Sequence, residues 1–286
     1  MNSSQKRVLQ WAGSTVSIAG ILFIGLRVST YSAQLDFSKF EVITWSVLVG
    51  SALVYGMANG LLALAWWNLL RFFKATPDRL WAVRIYGLTQ PAKYVPGNIM
   101  HLASRQAMGM AQGVPGWSLA KSSLWELGLI FAAGMFFFIL VLPHFLPTVT
   151  VTMAMVGFAV VTLTTMVGLK RKISPIIARV FGLYLVFLII SGLVFVSLLV
   201  CIIETGLFTV PIVVTFCAAF ILAWVIGLLT PGAPAGIGVR EMVLVALLGG
   251  SVPEADLLLT VVLSRAVTMA GDLLFFLFGL GLAKKQ

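Results

Sequence analysis

The chain has 286 residues, of which 60% are hydrophobic and only 10% charged, and its mean hydropathy is +1.06. A water-soluble domain of this length has no use for so much apolar surface, and the long apolar runs indicate an integral α-helical membrane protein. The net charge of +10, from 19 Lys and Arg against 9 Asp and Glu, excludes little by itself. A nucleic-acid surface is nonetheless not expected, because the basic residues are dispersed over helix ends. Lys and Arg concentrated in cytoplasmic loops account for them.

In chain order, Val8 to Arg27 is the first apolar run, preceded by Lys6 and Arg7. A signal peptide competes for this stretch, with Ser32-Ala33 imitating a cleavage site. The run is long for that role and more spans follow, so a retained anchor is expected. Val42 to Leu70 is the second run, long enough to tilt.

The region from Arg71 to Lys121 is irregular. Thr76-Pro77-Asp78 reads as an N-cap, a first-turn Pro and a first-turn acid. A helix with Leu80, Trp81, Arg84, Ile85 and Leu88 at helical spacing follows, ended by Gln90-Pro91. Pro96-Gly97 then opens another short helix through His101 and Arg105, closed near Gly109 and Gly113. Each piece is roughly 13 residues, short for a span. Two arrangements remain open: an amphipathic pair on the inner surface, or a re-entrant hairpin.

Ser122 to Leu142, Val149 to Leu169, Val180 to Ile203 and Phe208 to Leu229 are each about 20 residues, the length a bilayer requires. After them comes Thr230-Pro231-Gly232-Ala233-Pro234-Ala235-Gly236-Ile237-Gly238-Val239-Arg240-Glu241. Helix breakers at membrane depth survive only when buried in protein or lining a polar cavity, so this stretch is a candidate site. Val239 to Gly250, at roughly 18 Å of helix, is too short to cross alone and needs the preceding stretch to complete a crossing. Leu257 to Leu282 is the last span.

Charge placement orients the map. With the N-terminus inside, the inner side collects Lys6, Arg7, Arg71, Lys74, Lys93, Arg105, Lys121, Lys170 to Lys172, Lys284 and Lys285, among others. The outer loops keep Arg27 and Lys39, with Asp36, Glu41, Glu204, Glu254 and Asp256. Both termini are then cytoplasmic. The expected fold is a single polytopic all-α membrane domain over 1–286, with about eight crossings and two broken or re-entrant segments around 77–110 and 230–252.

Ionisable residues inside the apolar segments are the candidate site, because such groups are costly in lipid and face partners or water-filled cavities. They are Glu126, Arg240, Glu241, Arg265 and Asp272. Arg240 and Glu241 are neighbours and project about 100° apart. Arg265 and Asp272, seven residues apart, share one face with Thr268 but stand about 10 Å apart along the axis, too far to pair directly. Glu126 needs a cation from elsewhere, with Arg240 or Arg265 the natural candidates. These charges either lock the bundle or hold a ligand. An excess of Arg beside helix N-termini suits a phosphate.

The two irregular regions share a spacing, since Arg105 follows Pro96 by nine positions and Arg240 follows Pro231 by nine. Paired interruptions of this kind point to transporters built from inverted repeats. Trp66, Trp67, Trp81, Trp117 and Trp125 read as interfacial belts. Cys201 and Cys217 lie in apolar runs, so neither a disulfide nor a metal site is expected. No phosphate-binding loop, dinucleotide Gly motif, nucleophile elbow or zinc-protease motif occurs, and no cofactor is expected.

Pro234-Ala235-Gly236-Ile237-Gly238-Val239-Arg240-Glu241 resembles the Pro-Gly-Gly-Ile/Leu-Gly-x-Arg-Glu signature of the lysylphosphatidylglycerol synthase transmembrane-region family. That family includes the flippase domain of the bacterial multiple peptide resistance factor and stand-alone flippase-like proteins. Tyr94-Val95-Pro96-Gly97 with downstream Arg105 is similar to the family's Tyr-x-Pro-Gly element, and Glu126 to its intramembrane Glu. Ala235 stands where the family has Gly, and Leu127 where it often has Arg. The layout matches over nearly the whole chain, although the motifs cover only about 25 residues.

The resemblance implies movement of lipids with charged headgroups across a bacterial or archaeal cytoplasmic membrane. The chain has no room for the soluble aminoacyltransferase domain of the synthases, so synthase activity is not expected. In this picture Arg240, Arg265 and Arg105 hold a phosphate headgroup. Gly236 and Gly238, with Pro96 and Gly97 of the other element, let backbone approach it. Glu241, Glu126 and Asp272 hold those Arg side chains or meet a cationic headgroup. The partners implied are a membrane phospholipid or polyprenyl-linked lipid, with a homo-oligomer or enzymes of lipid and polysaccharide biosynthesis beside it. Competing readings are a membrane-embedded transferase acting on a polyprenyl-phosphate lipid, with Glu126 or Glu241 as base, and a scaffold for such enzymes.

Overall fold

A computed structural model of the chain describes residues 41–95, 99–203, 209–230 and 238–283. The expected first span, Val8 to Arg27, lies outside the described residues. All regular structure among those described is helical.

The first helix, α1 (Val42–Phe72), ends where Lys74 turns the chain in the left-handed region, at φ 59°. Arg71 in its last turn meets the negative end of the helix dipole. Helix α2 (Arg79–Thr89) begins two residues later than the Thr76 signal suggests. Asp78 is its cap: the carboxylate accepts from the backbone N–H groups of Leu80 (2.8 Å) and Trp81 (3.2 Å). Pro91 has no N–H to continue the α-helix, and Gln90–Tyr94 tightens into a 3-10 turn. Helix α3 (Met100–Ala111) follows.

Helices α4 (Gly116–Met135) and α5 (Phe138–Phe145) form one apolar stretch with a local irregularity at Phe136 and Phe137. Then come α6 (Val151–Lys172), α7 (Pro175–Ile202), α8 (Val210–Leu229), α9 (Val239–Leu248) and α10 (Glu254–Ala283). Several begin at caps just outside the apolar runs, such as Thr150 for α6 and Ser174 for α7. Among the described residues, six segments are long and apolar enough to cross a membrane: α1, α4 with α5, α6, α7, α8 and α10.

Helix α7 sits at the centre, packed on α1, α8, α10 and α4. In a bilayer, helices associate through close packing rather than through a hydrophobic drive, so small residues mark the contacts. A Cβ on Gly271 would lie 2.9 Å from both the Ala52 oxygen and the Gly56 nitrogen, which brings α10 against α1. Gly192 of α7 receives the Cys217 sulfur of α8 in the same way. Aromatic pairs such as Phe195 and Phe220, stacked at 4.6 Å, fill the spaces between.

The two ends of the bundle are distinct. At one, Ser118 donates to the Phe73 carbonyl at 3.0 Å, and Lys74, Asp78, Gln112 and Pro115 line a shared cavity. At the other, His144, Val151, Ile203, Pro211 and Ser251 surround a cavity of about 430 Å³. The first is the Lys- and Arg-rich end. Helices α1, α6, α8 and α10 run toward it, and α4 with α5, α7 and α9 run away.

Of the two arrangements open for 77–110, the geometry selects the re-entrant one. The N-terminus of α2 and the C-terminus of α3 both lie at the basic end. The 3-10 turn between them reaches Asn59 and Asp272, near the middle of α1 and α10. Helix α9 comes from the opposite end: it packs along α8, with Arg240 beside Trp224 and its C-terminal side at Ser251 and Val252. The two broken segments therefore meet at mid-length.

One tryptophan departs from the expected belt. Trp66 is fully buried, donates its indole N–H to Ser122 Oγ at 3.0 Å, and stacks on Trp81 at 6.0 Å. A buried indole needs an acceptor, and Ser122 supplies it.

Candidate functional site

Asp272 has no exposed surface. Its Oδ1 accepts from Asn59 Nδ2 at 2.9 Å, while the Tyr94 hydroxyl and the Lys93 ammonium both converge on Oδ2. Asn59 in turn accepts from Gln90 Nε2 at 3.3 Å. Burying a carboxylate is costly unless it is paired and hydrogen-bonded, and here both conditions hold. Lys93 also sits over the rings of Tyr94 (5.4 Å) and Tyr55 (6.0 Å). The re-entrant turn is thus pinned to the two long helices by a charge pair at its tip.

Arg265, expected on one polar stripe with Asp272, belongs to a different cluster. Its guanidinium bonds Glu241 Oε1 from Nε (2.8 Å) and from a terminal nitrogen (2.7 Å). Two charge-assisted contacts from one guanidinium to one carboxylate oxygen tie α9 to α10.

Arg240 projects away from that pair, as neighbouring helical positions require. It is partly buried, with its guanidinium 5.6 Å from the centre of the Trp224 ring. Its Nε is buried and has no hydrogen-bond partner among the described residues. Tyr55, Tyr94 and Arg265 are near enough to act on it electrostatically. Among the described residues, Lys93, Arg240 and Arg265 stand against Asp272 and Glu241, three cations and two carboxylates, which leaves one positive charge in excess there. Gly238, the N-cap of α9, has φ 85°, and a Cβ there would meet nothing within 4 Å. Glycine is needed for the backbone turn rather than for space. Gly236, Pro96 and Gly97 lie outside the described residues.

Glu126 finds its cation in Arg105, not in Arg240 or Arg265. The Arg105–Glu126 contact is 2.6 Å and both side chains are buried. The Tyr86 hydroxyl donates to the other carboxylate oxygen at 2.7 Å. The Arg105 guanidinium lies 3.9 Å from the Tyr86 ring centre and 5.1 Å from that of Trp66. This cluster is sealed: it fastens α3 to α4 and braces the hairpin. Arg105 reaches Glu126 from the hairpin, 21 positions earlier in the chain.

Sequence reasoning missed Lys93, Asn59, Gln90 and Trp224. From sequence Lys93 reads as an inner-surface charge, although it stands two positions after Pro91 and directly before Tyr94 in the middle of an irregular region. Asn59 carried a usable signal, since an amide inside a long apolar run implies a buried hydrogen-bond partner. Both cysteines are free thiols, and among the described residues no three His, Cys, Asp or Glu side chains converge. Comparison with protein-family models finds no match, and comparison with curated proteins finds none.

Proposed function

We propose that this protein moves lipids with a phosphate-bearing headgroup between the leaflets of a bacterial or archaeal cytoplasmic membrane. The observation that carries the reading is Arg240. It is a cation whose buried Nε has no partner among the described residues, placed where the two broken segments meet at mid-length of the bundle. A planar guanidinium with spare donors is suited to a phosphate, and the N-terminal start of α9 adds its own positive end. The two remaining cations already hold carboxylates, so an anion entering the site balances the one charge left over.

The pairs on either side act as latches. Lys93–Asp272 holds the hairpin from the basic end, and Glu241–Arg265 holds α9 from the other. Loosening one while the other stays closed opens the site toward one leaflet at a time. The resemblance of Pro234 to Glu241 to a flippase signature supports the same reading. Arg105 and Glu126 act as positioning residues, through the hairpin.

The test is lipid movement in proteoliposomes, followed by chemical quenching of fluorescent phosphatidylglycerol in the outer leaflet. Arg240→Gln removes charge-assisted hydrogen bonds and is expected to slow exchange about tenfold or more without lowering the melting temperature. Equal rates for the two proteins would refute the proposal.

A further inference from the structure

A second lipid site is built into the outer wall of the bundle, away from the central cluster. A groove of about 770 Å³ runs between α1, α2 and α10. That volume lies within the range of small-molecule sites. Its lining is apolar apart from Arg79, at the α2 end. On α1 it extends from Leu53 to Leu64, roughly 16 Å at the rise of a helix, which is about half the thickness of a bilayer core. The groove therefore matches one leaflet in length.

Three features fit a single occupant. Gly60 leaves its floor empty, since a Cβ there would meet nothing within 4 Å, while Phe275 and Phe278, stacked at 6.3 Å, form a wall on α10. Met57 (71% exposed) and Phe278 (56% exposed) open it sideways to the membrane. Arg79 is exposed at the basic end, on the first turn of α2 where backbone N–H groups also point outward. The neighbouring Asp78 carboxylate is turned onto the Leu80 and Trp81 N–H groups. We infer that this groove holds one glycerophospholipid of the leaflet at the basic end, its phosphodiester on Arg79 and an acyl chain over Gly60. Neither Asp272 nor any of its partners lines the groove, so this site stands or falls independently of lipid translocation.

Native mass spectrometry of the full chain, titrated with phosphatidylglycerol and with a diacylglycerol of the same chains, tests this. The wild type is expected to retain one phosphatidylglycerol and to hold diacylglycerol poorly. Arg79→Gln, which loses a charge-assisted contact, should weaken phosphatidylglycerol retention about tenfold. Gly60→Leu puts a side chain on the floor, where a Cβ meets nothing within 4 Å, and should weaken both lipids, whereas Gly128→Leu, at an open and exposed glycine outside the groove, should change neither. Unchanged melting temperatures keep the comparison valid. Equal retention by wild type, Arg79→Gln and Gly60→Leu would overturn the inference, as would equal retention of the two lipids.

Discussion

At the residue scale, Asp272 persists as a fully buried carboxylate because three donors from two other elements converge on it. The pair it makes with Lys93 is worth less than its geometry suggests, since desolvation offsets much of the attraction. Breaking it is another matter. Lys93→Met leaves an uncompensated buried charge and is expected to cost about 3–5 kcal/mol, whereas Lys93→Met combined with Asp272→Asn should recover most of that loss. Unfolding of the single and double variants in mild detergent measures this, and additive losses would show that the pair is not coupled. Partners at this scale were poorly legible in the sequence. Glu126 and Arg105 stand 21 positions apart on different elements, so no local pattern joins them. That Arg240 and Glu241 face apart was legible, because helical geometry alone dictates it.

At the scale of elements, the re-entrant hairpin depends on one close approach. A Cβ on Gly87 of α2 would lie 2.9 Å from the Phe275 carbonyl of α10 and 3.5 Å from the Gly279 Cα. Replacing an exposed helical glycine with alanine ordinarily stabilises by about 1 kcal/mol. Gly87→Ala is expected to do the reverse, lowering the melting temperature and exposing a cysteine placed at the buried Ala92 of the turn to a water-soluble maleimide. No gain in labelling would remove the close approach from the account. The hairpin's boundaries are readable to within two residues: Asp78, expected as a first-turn acid after a Thr76 cap, is itself the cap, and Gln90-Pro91 ends the helix as proline chemistry requires. Its depth was not, since short amphipathic helices on a surface and in a hairpin share one composition.

At the scale of the whole molecule, the Lys- and Arg-rich end of the bundle and the opposite end around His144 and Ser251 define its sidedness. Cysteines at Gln112 and Lys172 lie at the basic end, and those at Thr150 and Ser251 at the other, all at exposed positions. In intact cells an impermeant thiol reagent should label the second pair and not the first, because Lys- and Arg-rich ends face the cytoplasm. The reverse pattern would invert the proposed topology. Long apolar runs fixed the membrane class and the positions of α1, α6, α7, α8 and α10 before any coordinates, because a bilayer demands length and hydrophobicity that no other pattern satisfies. Helix breakers among them marked 77–110 and 230–252 as irregular for the same reason.

What the amino-acid sequence determined, then, were properties that a local window contains: spans, breaks, caps and the sign of each end. Only the tertiary structure decided that the two breaks meet at mid-length, that Lys93 serves Asp272, and that Arg105 is sealed against Glu126. Those outcomes depend on which helices pack together, and in lipid that choice is made by close fits such as Gly56 against Gly271. A contact of that kind has no periodicity to announce it.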